Sequence, residues 1–171
     1  MRIAELKKEE YNPFYQTYLD VLGDVELFDI LRRQLENFPQ FLESLPDEKM
    51  NFAYAEGKWT IAEALVHVMD TERVFQYRAL RFMRGDKTSL PGFDQDLYVP
   101  NSAADRRTKE SIIEEYKAVR RSTIALFSNM KGQTLRNIGS ASDSPMSVAA
   151  LGFIICGHQK HHRNVIRERY L

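Results

Sequence analysis

Gly157-His158-Gln159-Lys160-His161-His162-Arg163 holds three of the chain's four histidines and lies within an apolar pattern, Leu151, Ile155, Val165 and Ile166, that fits a helix. At about 100° per residue, His158 and His162 fall about 40° apart on one face. The apolar residues project onto the same sector, so both imidazoles are expected to point inward. His161 lies about 100° from His162, at the edge of the stripe, and is expected to stay outside. An i,i+4 histidine pair offers two ligands to a borderline divalent metal, because imidazole nitrogen suits zinc, nickel, copper and iron. A third ligand is then needed, and the only histidine left is His67. The same spacing also fits two half-buried histidines bonded to carbonyls or carboxylates, and both possibilities stay open at this point. On a helix otherwise made of Leu and Ile, those ring nitrogens must in either case find partners.

Outward from this stretch, Ser147 is the expected N-cap of a helix running to about Arg169. Cys156 projects about 160° from His158 and is expected to be a small surface or helix-contact residue, not a ligand. A helix starting after Gly23-Asp24, with Asp24 as N-cap, places Leu27, Leu31, Leu35, Phe38 and Leu42 at helical spacing; Pro39 should bend or break it. The next opens on a capping box, Thr60 to Glu63, carries Leu65, Val68, Phe75 and Ala79 on its apolar sector, and stops at Gly85. His67 projects about 100° from the middle of that sector, at a flank where a pocket can open. A further helix, from about Thr108 to Lys131, sets Ile112, Tyr116, Val119, Thr123 and Phe127 on one face. Glu72 projects into apolar surroundings and needs compensation. The expected partner is Arg120 on that further helix, in an ion pair locking the two.

The connections complete the plan. Residues 1–23 gather Tyr11, Phe14, Tyr15 and Tyr18 into an aromatic arm that wraps the outside of a bundle. Residues 44–59 form a first long connection. Residues 86–107, with Leu90, Phe93, Leu97, Tyr98 and Val99, are expected to pack as a lid over one bundle end, bordering the histidines. Residues 132–146 are turn-rich, and no strand pattern is evident. The expected fold is all-α: a four-helix bundle with long connections after its first two helices, formed by one domain over residues 1–171.

Composition narrows the function. Lys plus Arg equals Asp plus Glu at 24 each, and the pI is near 6.9, so no basic field exists for nucleic acid or anionic lipid. One cysteine cannot form an internal disulfide, the amino-terminal stretch lacks the apolar core of a signal peptide, and no run approaches the roughly 20 apolar residues of a membrane span. A cytoplasmic protein is expected.

Several short motifs occur together in order: Gly57-Lys58-Trp59-Thr60; His67-Val68-Met69-Asp70-Thr71-Glu72-Arg73; the run from Tyr77 to Asp86; Leu90-Pro91-Gly92-Phe93-Asp94; Gly157-His158 with His161-His162; and the closing Arg-Glu-Arg-Tyr-Leu. Together they resemble the DinB-like superfamily, four-helix metalloproteins that include the YfiT-like thiol transferases, over nearly the whole chain. The resemblance implies a bundle of the DinB/YfiT type and one divalent metal, zinc or nickel, held by His67, His158 and His162. Similar members are described as metal-dependent hydrolases, while others transfer low-molecular-weight thiols such as bacillithiol or isomerise with mycothiol. The expectation is an enzyme that activates water or a low-molecular-weight thiol cosubstrate against a small-molecule substrate, a hydrolase or thiol S-transferase. The alternative is a non-catalytic, metal-stabilised binding or stress-response module. Asp70, one turn after His67, is the candidate carboxylate beside the metal or general base. A second copy of the chain, in a homodimer, is the remaining candidate partner.

Overall fold

Helix-start chemistry places the long elements, and packing decides how they meet. The structure is a computed structural model describing residues 1–130 and 132–171. A short α1 (Gln16–Asp20) precedes α2 (Leu27–Glu43) and α3 (Ile61–Met83). A single-turn α4 (Gln95–Tyr98), then α5 (Lys109–Ser128) and α6 (Val148–Arg169), follow. Thr60 and Glu63 form the expected reciprocal capping box of α3. Thr108 caps α5, and the Ser147 hydroxyl accepts from the Ala150 N–H to cap α6. Gly85 follows α3 at φ +78°, the left-handed geometry that favours glycine after a helix end. Lys131, the expected end of the third long helix, lies outside the described residues.

The long helices pack in a ring: α2 on α5, α5 on α3, α3 on α6 and α6 on α2. Of the long helices consecutive in the chain, α2 and α3 sit diagonally, as do α5 and α6, whereas α3 and α5 are neighbours; the two diagonal steps need long connections. Bundle architecture is as expected from the sequence.

Three local expectations are corrected. The cap of α2 is Glu26, whose carboxylate accepts from the Asp29 N–H, because the preceding chain is pinned by the amino-terminal ammonium on Glu26 and by Leu27 N–H donating to the Met1 carbonyl. Asp24 instead binds Arg2 at 2.9 Å. Pro39 does not end α2, which continues to Glu43; the proline is buried between Phe38 and Phe41, and that packing outweighs one missing donor. Residues 138–147 form a hairpin, β1 (Ile138–Ala141) antiparallel to β2 (Ser144–Ser147), with Ile138 opposite Ser147 and Ala141 opposite Ser144. Ser142 and Asp143 make its turn at φ 52° and 57°, left-handed values that serine and aspartate rarely signal in advance. Of the two placements expected for Cys156, the structure has the helix contact: it is wholly buried where α6 packs against α1, α2 and α3, and it is not among the clustered metal donors.

Glu72 and Arg120 meet as expected. Arg120 Nε and Nη2 donate to the two carboxylate oxygens of Glu72 at 2.8 and 2.9 Å, and Thr123 Oγ1 donates to the first at 2.7 Å. Arg120 Nη1 donates to Gln34 Oε1, and Gln34 Nε2 donates to the Cys156 carbonyl. One satisfied polar network therefore ties α2, α3, α5 and α6 together two residues before His158.

Candidate metal centre

His67 comes from the second turn of α3, while His158 and His162 come from successive turns of α6. The packing of α3 on α6 brings the rings together across 91 residues of sequence. His158 Nε2 lies 3.0 Å from His67 Nε2 and 3.1 Å from His162 Nε2. All three donor atoms lie within 4.8 Å of one another, and His67 and His158 are buried. A ring nitrogen carries either one hydrogen or one in-plane lone pair, so hydrogen bonding alone leaves one of the two close contacts of His158 poorly satisfied. A cation between the rings satisfies all three lone pairs together. Ligand bonds of about 2.0–2.1 Å place two nitrogens about 2.9 Å apart at a right angle and about 3.4 Å apart at the tetrahedral angle. The two spacings to His158 fall between those limits and the third pair lies within 4.8 Å, so the donor set fits a divalent ion.

Burial keeps these rings neutral, the form that can act as a ligand. It pulls His67 down to about 4 and His162 to about 3, the latter helped by the nearby His67 and His161. His158 is driven well below its ordinary value by burial and by the other three histidines. His161 stays outside the cluster, half-exposed, with its ring edge-on to Tyr18 at 5.2 Å.

Aromatic residues frame the cluster. The Trp59 ring lies 4.8 Å from His67 and stacks at 6.5 Å on His162. Tyr18 meets His158 edge-on at 5.3 Å, so the amino-terminal arm forms a wall of the site as well as packing on the bundle. Two cavities reach the histidines. One, of about 410 Å³, is lined by His67 and His158 with Tyr15, Tyr18, Phe75 and Arg78. The other, of about 390 Å³, is lined by His161 and His162 with Trp59 and Tyr170. Asp96 of α4 borders both, which puts the connection over residues 86–107 beside the site, though Leu97 and Tyr98 of that turn are exposed.

The placement of Asp70 corrects the sequence expectation. It borders a separate recess with Val66, Leu97, Tyr98, Arg107 and Glu115. There it faces Arg73 at 3.5 Å, and Arg73 bridges it to Glu115. Burial raises its pKa while Arg73 opposes the rise. One turn along a helix was enough to carry the carboxylate off the histidine face. The acidic residues that do border the cavities are Asp94 and Asp96, which no periodic pattern marks because they sit at and in a single turn of helix. Trp59 and Tyr18 were likewise missed as site residues, since both come from segments without a long helical period. Cys156 is no nucleophile here: burial pushes its thiol up to about 12.

Residues 30–166 match the DinB superfamily. A protein of Oceanobacillus iheyensis, provisionally named a metal-dependent hydrolase, is 22% identical over 135 residues, covering 76% of this chain and 78% of its own length. The fold is similar to that of YfiT from Bacillus subtilis, described as a probable metal-dependent hydrolase with an unusual four-helix bundle topology. The TM-score is 0.68 at 15% identity, over 96% of this chain and 87% of that one. No helix among the described residues is long and apolar enough to cross a membrane.

Proposed function

This chain belongs to the DinB superfamily, and from that premise we propose that it is a divalent-metal-dependent enzyme acting on a small molecule. His67, His158 and His162 would hold one ion, zinc or nickel, and the reaction would be hydrolysis or transfer of a low-molecular-weight thiol. The observation that carries this is that His67 and His162 each bring Nε2 within 3.1 Å of His158 Nε2, all three rings being held neutral by burial. An ion bound by three imidazoles keeps a position open and makes water or a thiol acidic enough to attack near neutral pH.

The protein's own residues supply the rest. Trp59 and Tyr18 hold the imidazole planes by ring contact, so the nitrogens stay aimed inward. Phe75, Tyr15 and Tyr18 give the larger cavity an apolar wall that displaces water from a bound substrate. Among the described residues, no Cys, Asp or Glu joins the three histidines as a fourth donor, which favours an open, reactive position over a closed structural site.

The test is elemental analysis of untagged protein purified without added metal, on the parent and on four single His→Ala variants. One ion per chain is expected, lost in His67→Ala, His158→Ala and His162→Ala and kept in His161→Ala. Metal retained by the first three variants would overturn the assignment. Turnover of ester and electrophile panels, with and without several low-molecular-weight thiols, then separates hydrolysis from thiol transfer.

A further inference from the structure

The larger cavity is lined by two residues with buried donors that nothing among the described residues satisfies. Arg78 is 2% exposed; its Nη2 donates to the Pro91 carbonyl and to Ser142 Oγ at 3.0 Å each, but its Nη1 is buried without a partner. The Thr71 hydroxyl, one turn beyond His67 on α3, is also buried and unpartnered. Both residues line the cavity that His67 and His158 border.

Arg120 provides an internal contrast. Equally buried, it has a carboxylate on two of its nitrogens and an amide oxygen on the third. Arg78 has no carboxylate partner among the described residues. The Phe75 and Phe93 rings, 5.2 and 6.0 Å from its guanidinium carbon, offer it π faces, and the Tyr15 hydroxyl stands beside it, yet Nη1 remains unbonded. A buried guanidinium without an anion is costly, and one that lines a cavity is placed to receive an anion. Asp94 and Asp96 also line this cavity, but both are exposed and solvated, and Asp94 is occupied in capping α4.

We propose that Thr71 and Arg78 form a carboxylate-binding subsite beside the three histidines, and that the substrate is a small organic acid whose apolar body lies against Tyr15, Tyr18 and Phe75. Two donors match the two oxygens of a carboxylate, and a guanidinium is suited to that planar group. One helical turn, about 6 Å of rise, separates His67 from Thr71. The acid group is therefore held on Thr71 and Arg78 while another part of the same molecule reaches the histidines. The 410 Å³ cavity is of a size for such a ligand. This assignment deepens the proposed metalloenzyme function and rests on it for the reacting end of the substrate.

The test is titration calorimetry with matched pairs of acid and neutral amide (butyrate and butyramide, benzoate and benzamide, phenylacetate and phenylacetamide), on metal-loaded and chelator-treated protein. At least one acid should bind tenfold or more tighter than its amide, with and without metal. Thr71→Val and Arg78→Met should each remove that preference at unchanged metal content. Arg78 also anchors Pro91 and Ser142, so if Arg78→Met does not fold, Thr71→Val and the parent's acid-to-amide ratio decide the matter. No preference in any pair, or a preference abolished by chelation and indifferent to Thr71→Val, would overturn the subsite while leaving the metal assignment intact. Inorganic phosphate binding more tightly than every acid would overturn the carboxylate specificity. Protein that carries no metal yet binds an acid through Thr71 would support the subsite and defeat only the metalloenzyme function.

Discussion

Gly157 lies directly against the main chain at Tyr18: a Cβ on Gly157 would come within 2.0 Å of the Tyr18 carbonyl oxygen and 2.6 Å of its carbonyl carbon. This contact seats α1 on α6 one residue before His158, and so it sets the position of the Tyr18 ring at the site. Backbone, unlike a flexible side chain, cannot swing clear.

Gly157→Ala should therefore lift α1 away from α6. We expect a stability loss of about 1–3 kcal/mol from the forced backbone shift. Metal affinity should weaken as well, because the Tyr18 wall moves off His158. Urea unfolding and metal titration check both; an alanine variant with parent stability would show that the approach is looser than described.

The Glu72–Arg120 pair is wholly buried, so removing one partner leaves an uncompensated charge or an unsatisfied polar group. Glu72→Gln and Arg120→Met should each cost on the order of 3 kcal/mol. The double variant should lose much less than the sum of the two. Chemical denaturation of the set measures the coupling, and small additive effects would contradict the geometry.

Trp59 is the only tryptophan, and its ring touches two of the three site histidines. Nickel titrated into metal-free protein should quench its fluorescence with one-to-one stoichiometry. Thermal stability should rise with it, by about 2.7 kcal/mol when free nickel is a hundredfold above its dissociation constant. His162→Ala should abolish both responses, and quenching that survives in that variant would place the ion elsewhere.

Residues 86–107 border both cavities through α4 and are stitched to the hairpin, where Leu90 N–H donates to the Ser140 carbonyl and Ser142 N–H donates to the Leu90 carbonyl. Bound ligand should slow amide exchange in this segment. Protection confined to residues 132–146 would remove it from the site.

The Cys156 thiol, at about 12, stays protonated as pH rises through the usual alkylation range. Iodoacetamide should leave native protein untouched and label it stoichiometrically once denaturant is added; rapid native labelling would show that α6 is not covered there.

What the sequence by itself determined about this protein is what depends on a few consecutive residues. The capping box at Thr60, the cap at Ser147 and the shared face of His158 and His162 follow from helical phase and from backbone donors at a helix start. The Glu72–Arg120 pair was legible too, because a carboxylate on an apolar face demands a partner and few candidates existed. Tertiary structure decided which faces are covered, and by what. It brought His67 to the α6 pair, buried Cys156 beneath three helices and turned Asp70 toward Arg73. It also set Tyr18, Trp59 and Asp96 at the histidines and closed the hairpin through left-handed Ser142 and Asp143. Phase tells which way a side chain points from its own helix axis; what lies in that direction depends on neighbours distant in the chain, whose packing is settled by the whole bundle together.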